Sequence, residues 1–332
     1  MAVKTALGFG DDEIFEPVTT WEGLHTFMAA QRPVPPPALD ERWTLESLRD
    51  YHSRFVVLTT PAVEQATQQL HALAGLNRCQ QGTARRGLIV SGPPGTGKST
   101  TLLELARHFY RAGQLKWPDF DSQLPVVYVM VPPSYTPKNL VKEFARFLGI
   151  PLHRRMNEAD ITEAVCRVLC QRRTRLVLID DVHLINTRTH DGAETSDQIK
   201  HLTERVPATF VLAGIDVEYS PLLSGVRGQQ LAARYKLVRT TPLPHGTAQE
   251  KEIWRALARD LDAALRLRFH RKGTLVRLAP YLHRRTGGVM ASLSQLVREA
   301  ALASLSDGSH ALTRKHLDAV QLDVRASRGD RP

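Results

Sequence analysis

Cysteine is nearly missing from this sequence of 332 residues; it occurs only as Cys79, Cys166 and Cys170. So few, in odd number, cannot build a disulfide scaffold, and a reducing compartment is the expectation. Cys166 and Cys170 stand four apart on an expected helix and face one side. No further Cys or His nearby completes a metal set, so they read as packing residues. Also missing is any run approaching the roughly 18–20 apolar residues that a membrane helix needs. The N-terminal stretch holds Asp11, Asp12, Glu13 and Glu16 and no apolar run. That excludes a secretory signal and points to the cytoplasm, with no membrane partner. No Ser-His-Asp or paired-carboxylate hydrolase arrangement is found.

What is there is an ordinary composition, 42% apolar and 23% charged, sufficient for a sizeable core. The net charge of +10 is unevenly placed. Residues 231–332 hold 19 basic and 9 acidic side chains, whereas residues 1–230 hold 25 of each and cancel. Within them, residues 1–50 hold 4 basic and 9 acidic ones. A basic domain attracts phosphate backbones at long range, although a merely solvated arginine-rich surface gives the same excess.

The apolar runs set out the organisation. Pro33, Pro35, Pro36 and Pro37 forbid a helix and predict an extended linker, with short helices at 21–30 and 44–54 beside it. Thr60 is a cap for a helix over 61–76. Apolar strands at 87–91, 126–131, 175–180, 209–213 and 236–240 then alternate with helices at 98–111, 137–148, 159–171 and 196–205. This predicts an α/β fold with a parallel five-stranded sheet covered on both faces. Beyond the hinge candidate at 242–246 (PLPHG) only helices follow, at 248–267, 273–285, 289–306 and 313–322.

The strongest motif is Gly92-Pro93-Pro94-Gly95-Thr96-Gly97-Lys98-Ser99, which fits G-x-x-x-x-G-K-[ST] between an expected strand and an expected helix. Glycines there let backbone N–H groups close around phosphate oxygens, and the helix N-terminus adds partial positive charge. Lys98 is then placed on the β- and γ-phosphates of ATP, and the Ser99 hydroxyl on Mg²⁺. Thr100 completes the binding set.

A second motif is LVLIDD at 176–181. Asp180 at a strand end beside the loop is placed to hold Mg²⁺ through water. Asp181 faces the γ-phosphate as the base for the attacking water, or is a capping or loop carboxylate. Many such ATPases carry Glu here, and the shorter Asp predicts slow turnover. Asp216, after the fourth strand, reaches the γ-phosphate or is a turn aspartate. His183 is a nucleotide sensor or a solvent-facing loop residue. Arg234, before the fifth strand, is a candidate finger into a neighbouring subunit's nucleotide, with Arg227 as competitor and a plain surface arginine as the alternative. Lys138, Lys142, Arg154 and Arg155 track a DNA backbone or form a solvated face.

GPPGTGKS, IDDVH, LAGID, LAARY and the helical C-terminal part together resemble an AAA+ ATPase. RTGGVMASLSQLVREAA at 285–301, GLIVSGPPGTGKST, and the helix and loop over 59–86 are similar to the TniB/TnsC-type transposition ATPases. The resemblance covers roughly residues 55–322 and implies an AAA+ P-loop core with a helical lid. It divides the chain into an N-terminal extension at 1–58 for partner binding, a nucleotide-binding core at 59–243, a lid at 244–322 and a disordered tail at 323–332. It implies ATP-dependent assembly into a ring or filament on double-stranded DNA, target-site selection with target-selection proteins, and recruitment of a DDE transposase. By position it assigns Lys98 and Ser99 to the phosphate loop, Asp180 and Asp181 to the acidic pair, and Arg234 to the finger. The sensor-two arginine common in such lids has no match at 287–294, so either the lid is not coupled to hydrolysis or Arg284 or Arg285 takes that role. A helicase-loader-like ATPase and a nucleotide-gated signalling switch without DNA remain the alternatives.

Overall fold

The computed structural model describes residues 16–30, 39, 43–53, 58–80, 84–117, 119–120, 123–132, 137–185 and 191–322, without the side chains of 137–138 and 191–196. The linker prolines and the tail lie outside the described residues. Five strands, β1 (Gly87–Ser91), β2 (Val126–Met130), β3 (Leu176–Asp180), β4 (Thr209–Gly214) and β5 (Tyr235–Arg239), form one sheet in the order β2-β3-β4-β1-β5. Every neighbouring pair is parallel, with Ser91 opposite both Gly214 and Arg239. β1, β3 and β4 are buried along their whole length. Their unbroken apolar runs follow from helices packing on both faces, as expected.

The helices before and within the sheet are α1 (Trp21–Ala29), α2 (Leu45–Ser53), α3 (Pro61–Arg78), α4 (Lys98–Gln114), α5 (Pro137–Phe147), α6 (Glu158–Gln171), α7 (Asp191–Arg205) and α8 (Gly225–Ala232). Thr60 caps α3 by accepting from the Val63 N–H, with Pro61 in the first turn. The helix expected from 196 begins five residues earlier, and α8 was missed, because its eight residues carry no long apolar stripe. Beyond the sheet come α9 (Ala248–Ala264), α10 (Thr274–Arg277), α11 (Ala279–Thr286), α12 (Met290–Ser306) and α13 (Arg314–Ala319). The single helix expected over 273–285 is two. Pro280 lies in the first turn of α11, where its missing N–H costs nothing but the preceding turn must end. α9 stops at Ala264 because buried Asp262 gathers the N–H groups of Gly273 at 2.6 Å and Leu275 at 2.8 Å, folding the chain back.

Two apolar cores result. The first surrounds the sheet and takes in Leu24 and Met28 of α1. Arg107 of α4 holds α1 there, lying 4.2 Å from the Phe27 ring and donating to the Phe27 carbonyl at 3.2 Å. The second core is built on Trp254 and the lid leucines, and takes in Trp43, Leu48 and Tyr51 from the α2 region. Burying side chains of this size contributes roughly 1.5–3 kcal/mol each. Two backbone bonds hold the second core in place, one to the connection from β5, whose Leu243 packs against that core, and one to the loop after β1. Leu243 donates to the Gly288 carbonyl at 2.9 Å, and Ala291 donates to the Gly95 carbonyl at 3.0 Å.

Candidate nucleotide site

β1 delivers the chain to Gly92, and α4 starts at Lys98, with Gly97 as its N-cap at φ 92°. A Cβ on Gly92 would stand 1.9 Å from the Thr240 carbonyl, so the loop passes β5 only as glycine. Thr96 is buried. Its hydroxyl donates to the Pro93 carbonyl at 2.8 Å and meets the Thr240 hydroxyl at 2.8 Å. Lys98 is buried too, with Nζ donating to the Pro93 carbonyl at 2.8 Å. No side chain caps α4, so its first-turn N–H groups face the hollow of the loop, where an anion fits. Ser99 is exposed and Thr100 half-buried.

Asp180 ends β3 fully buried. One oxygen accepts the Asp181 N–H at 2.8 Å and the other accepts the Tyr128 hydroxyl at 2.8 Å. Each oxygen keeps a lone pair for a water or a cation, which fits a metal held at one remove. Burial first, and Asp180 second, push the Tyr128 phenol up, so it remains a donor. Asp181 has φ 56°, a left-handed turn that swings it off the strand. Partial burial, and then the Asp180 charge, raise its carboxyl above the ordinary value, against His183 and Lys98, which lower it. His183 Nδ1 lies 3.9 Å from the Asp181 carboxylate. That nitrogen is buried and makes no hydrogen bond among the described residues.

β4 lies between the strands that carry these two motifs. The Gly92 N–H donates to the Gly214 carbonyl at 3.3 Å, which ties the end of β4 to the phosphate loop. Asp216 follows at φ 46°, exposed. Two residues on, Glu218 accepts from the buried Ser91 hydroxyl and from Arg239 Nε at 3.0 Å. Neither Glu218 nor Tyr128 was found from the sequence. Both act across strands, where no local pattern marks them.

Other candidates lie elsewhere. Arg234 accepts the Gly87 N–H on its carbonyl at 2.9 Å, at the opposite end of β1 from the phosphate loop, and its Nη1 donates to Glu204 at 3.0 Å. Arg227 pairs with Asp197 at 2.8 Å and is exposed. Lys142 is half-buried on α5, while Arg154 and Arg155 are exposed between α5 and α6. The Lys138 side chain lies outside the described residues, as do residues 133–136. Arg285 donates to the Val320 carbonyl at 2.9 Å, and Arg284 lies 5.9 Å from the Tyr281 ring. The lid meets the phosphate loop through Val289 and Ala291 at Gly95.

A family model described as an AAA domain matches residues 81–223. Among solved structures, Cdc6p from Pyrobaculum aerophilum is similar with a TM-score of 0.58 at 19% identity, over 80% of this chain and 68% of that one. The fold is that of the AAA+ P-loop NTPases. The ORC1 protein of Aeropyrum pernix, solved in complex with DNA, gives 0.56 at 16% identity over 89% of this chain and 68% of that one. Domain III of the Thermotoga maritima replication initiation protein DnaA gives 0.51 at 15% identity, over 81% and 94%. By sequence, none of the curated proteins is a significant match. The AAA+ fold was the expectation, and the helical C-terminal region agrees with it.

Proposed function

We propose that this protein is an ATPase that assembles on double-stranded DNA in its ATP-bound form and regulates transposition by selecting target DNA and recruiting a transposase. One observation carries the assembly. Arg234 stands level with Gly87, while the phosphate loop opens at Gly92. Strand residues advance about 3.3 Å each, so roughly 15 Å separates the two, more than an arginine side chain spans. Arg234 is therefore out of reach of its own protomer's nucleotide, and in this reading it serves another copy's.

In this reading Lys98 and the α4 N-terminus hold the phosphates of ATP, and Ser99 with Asp180 holds Mg²⁺, which screens the phosphate charge. Asp181 takes the proton of the attacking water; its raised pKa makes it the stronger base. Arg234 of the next copy meets the terminal phosphate. DNA as partner is supported by the basic C-terminal third and by the DNA-bound ORC1 neighbour. The transposition role is supported by the resemblance of residues 285–301 to the TniB/TnsC-type lids.

Sedimentation with a non-hydrolysable ATP analogue and duplex DNA tests the assembly; a protein that stays monomeric contradicts it. Lys98→Ala is expected to lose binding of labelled ATP, and undiminished binding would displace the phosphate loop from the site. Retention of a replicative helicase, and not of a transposase, in a pull-down from the native host would move the reading to a loader.

A further inference from the structure

We infer that Glu204 is a positioning residue for Arg234, setting its guanidinium in the free protomer for the nucleotide of a neighbouring copy; this rests on the assembly proposed above. Three polar pairs join α7 to α8 and the turn after it: Asp197 with Arg227 at 2.8 Å, Lys200 with Gln230 at 3.1 Å, and Glu204 with Arg234 at 3.0 Å. On both sides the pairs advance by three and then four residues, which is one helix face. They rise together along the chain, so the two helices run side by side in one direction. The ladder ends on Arg234.

The two candidate arginines differ in how firmly they are held. The Arg227 side chain is 58% exposed and that of Arg234 22%. Arg234 is also fixed through its backbone. Its N–H donates to the Leu231 carbonyl at 3.0 Å, and its carbonyl accepts from Gly87 on β1 at 2.9 Å. The side chain is the one remaining freedom, and Glu204 takes it up. The carboxylate engages Nη1, whereas a guanidinium carries five N–H donors in a planar fork. Nε and Nη2 make no hydrogen bond among the described residues and can meet a second anion. A rotamer chosen before assembly need not be frozen at assembly, and a charge held in register acts on developing phosphate charge without reorganisation.

The test is turnover against ATP and against protomer concentration, with duplex DNA present. An exposed ion pair adds little to stability, so Glu204→Ala should fold. It is expected to lower turnover at saturating ATP by about tenfold, with KM for ATP unchanged, because each protomer's own phosphate loop binds the nucleotide. Glu204→Gln keeps the acceptor oxygen and should recover most of the loss. Mixing Glu204→Ala with Lys98→Ala should also restore turnover, since the second protein supplies a positioned Arg234 to the intact phosphate loop of the first. Glutamine would also restore a merely structural role, but the mixed protein would not. Wild-type or faster turnover in Glu204→Ala, with Arg234→Ala inactive, overturns the role of Glu204 and keeps the assembly. A loss that the mixed protein does not restore also overturns it. Full activity of Arg234→Ala removes the assembly reading and this inference with it.

Discussion

Tyr128 and Asp180 meet across neighbouring strands, with the buried phenol donating to the carboxylate at 2.8 Å. The register explains the meeting. Tyr128 is opposite Leu178 and Met130 opposite Asp180, so the long tyrosine reaches two residues along the same face. With the Asp181 N–H on its other oxygen, Asp180 has its plane set by two donors.

Tyr128→Phe should therefore act twice. Loss of a hydrogen bond to a charged group lowers stability by about 1.5–3 kcal/mol. The loosened carboxylate should also raise the Mg²⁺ concentration needed for half-maximal turnover. Thermal melts and a Mg²⁺ titration check both; an unchanged Mg²⁺ requirement would separate Tyr128 from the metal role proposed for Asp180.

Asp181→Asn separates catalysis from stability. The folded protein raises this carboxyl's pKa, so the folded state holds the proton more tightly than the unfolded one. Stability then falls as pH rises through the unfolded value of roughly 3.9, and the penalty persists at neutral pH. Asparagine removes it. The variant is expected to bind ATP, to lose turnover, and to melt no lower than wild type at pH 7, with any advantage shrinking below pH 4. In the wild type, the acid limb of turnover should lie above where an unperturbed aspartate would place it. A variant that melts lower at pH 7 and turns over ATP places the base elsewhere.

The phosphate loop was legible because its chemistry is local: eight consecutive residues specify a turn, a helix start and a cation. Asp180 was legible for a similar reason, as the acid that ends an apolar run. Glu204, Tyr128 and Glu218 were not. Each meets a residue 30, 52 or 127 positions away, brought near by helix or strand register, which composition and periodicity do not encode. The break at Leu278 was missed because the apolar pattern runs through it, and Pro280 interrupts only the backbone.

Gly288 holds the lid against Leu243 in the connection from β5. Its φ is 74°, and a Cβ there would stand 2.2 Å from the Leu243 carbonyl. Gly288→Ala should cost about 1–3 kcal/mol of stability from the backbone strain. It should also weaken ATP binding, because the next turn of the lid sits on Gly95 through Ala291. Melting curves with and without ATP separate the two effects. A variant less stable but equally shifted by ATP would show that the lid's seat does not bear on the nucleotide.

For the proposed DNA binding, two surfaces compete. Arg154 and Arg155 are exposed in the connection from α5 to α6, open to a phosphate from solvent. The lid carries more than half of the charge excess, with 13 basic and 7 acidic side chains over 244–322, but part of it is engaged. Arg266 donates to the Ala263 and Leu265 carbonyls at 2.6 and 3.0 Å, and Arg268 to the Trp43 carbonyl at 2.7 Å. Arg271 and Lys272 are exposed beside them and make the fair comparison. Arg154→Ala with Arg155→Ala is expected to weaken duplex binding uniformly across sequences. It should flatten the salt dependence by about 0.9 for each phosphate no longer neutralised. ATP binding without DNA should not change, because neither residue is among those assigned to the nucleotide. Arg271→Ala with Lys272→Ala should leave the salt slope as in the wild type. The reverse pattern, a slope unchanged in the first pair and flattened in the second, would put the DNA path across the lid.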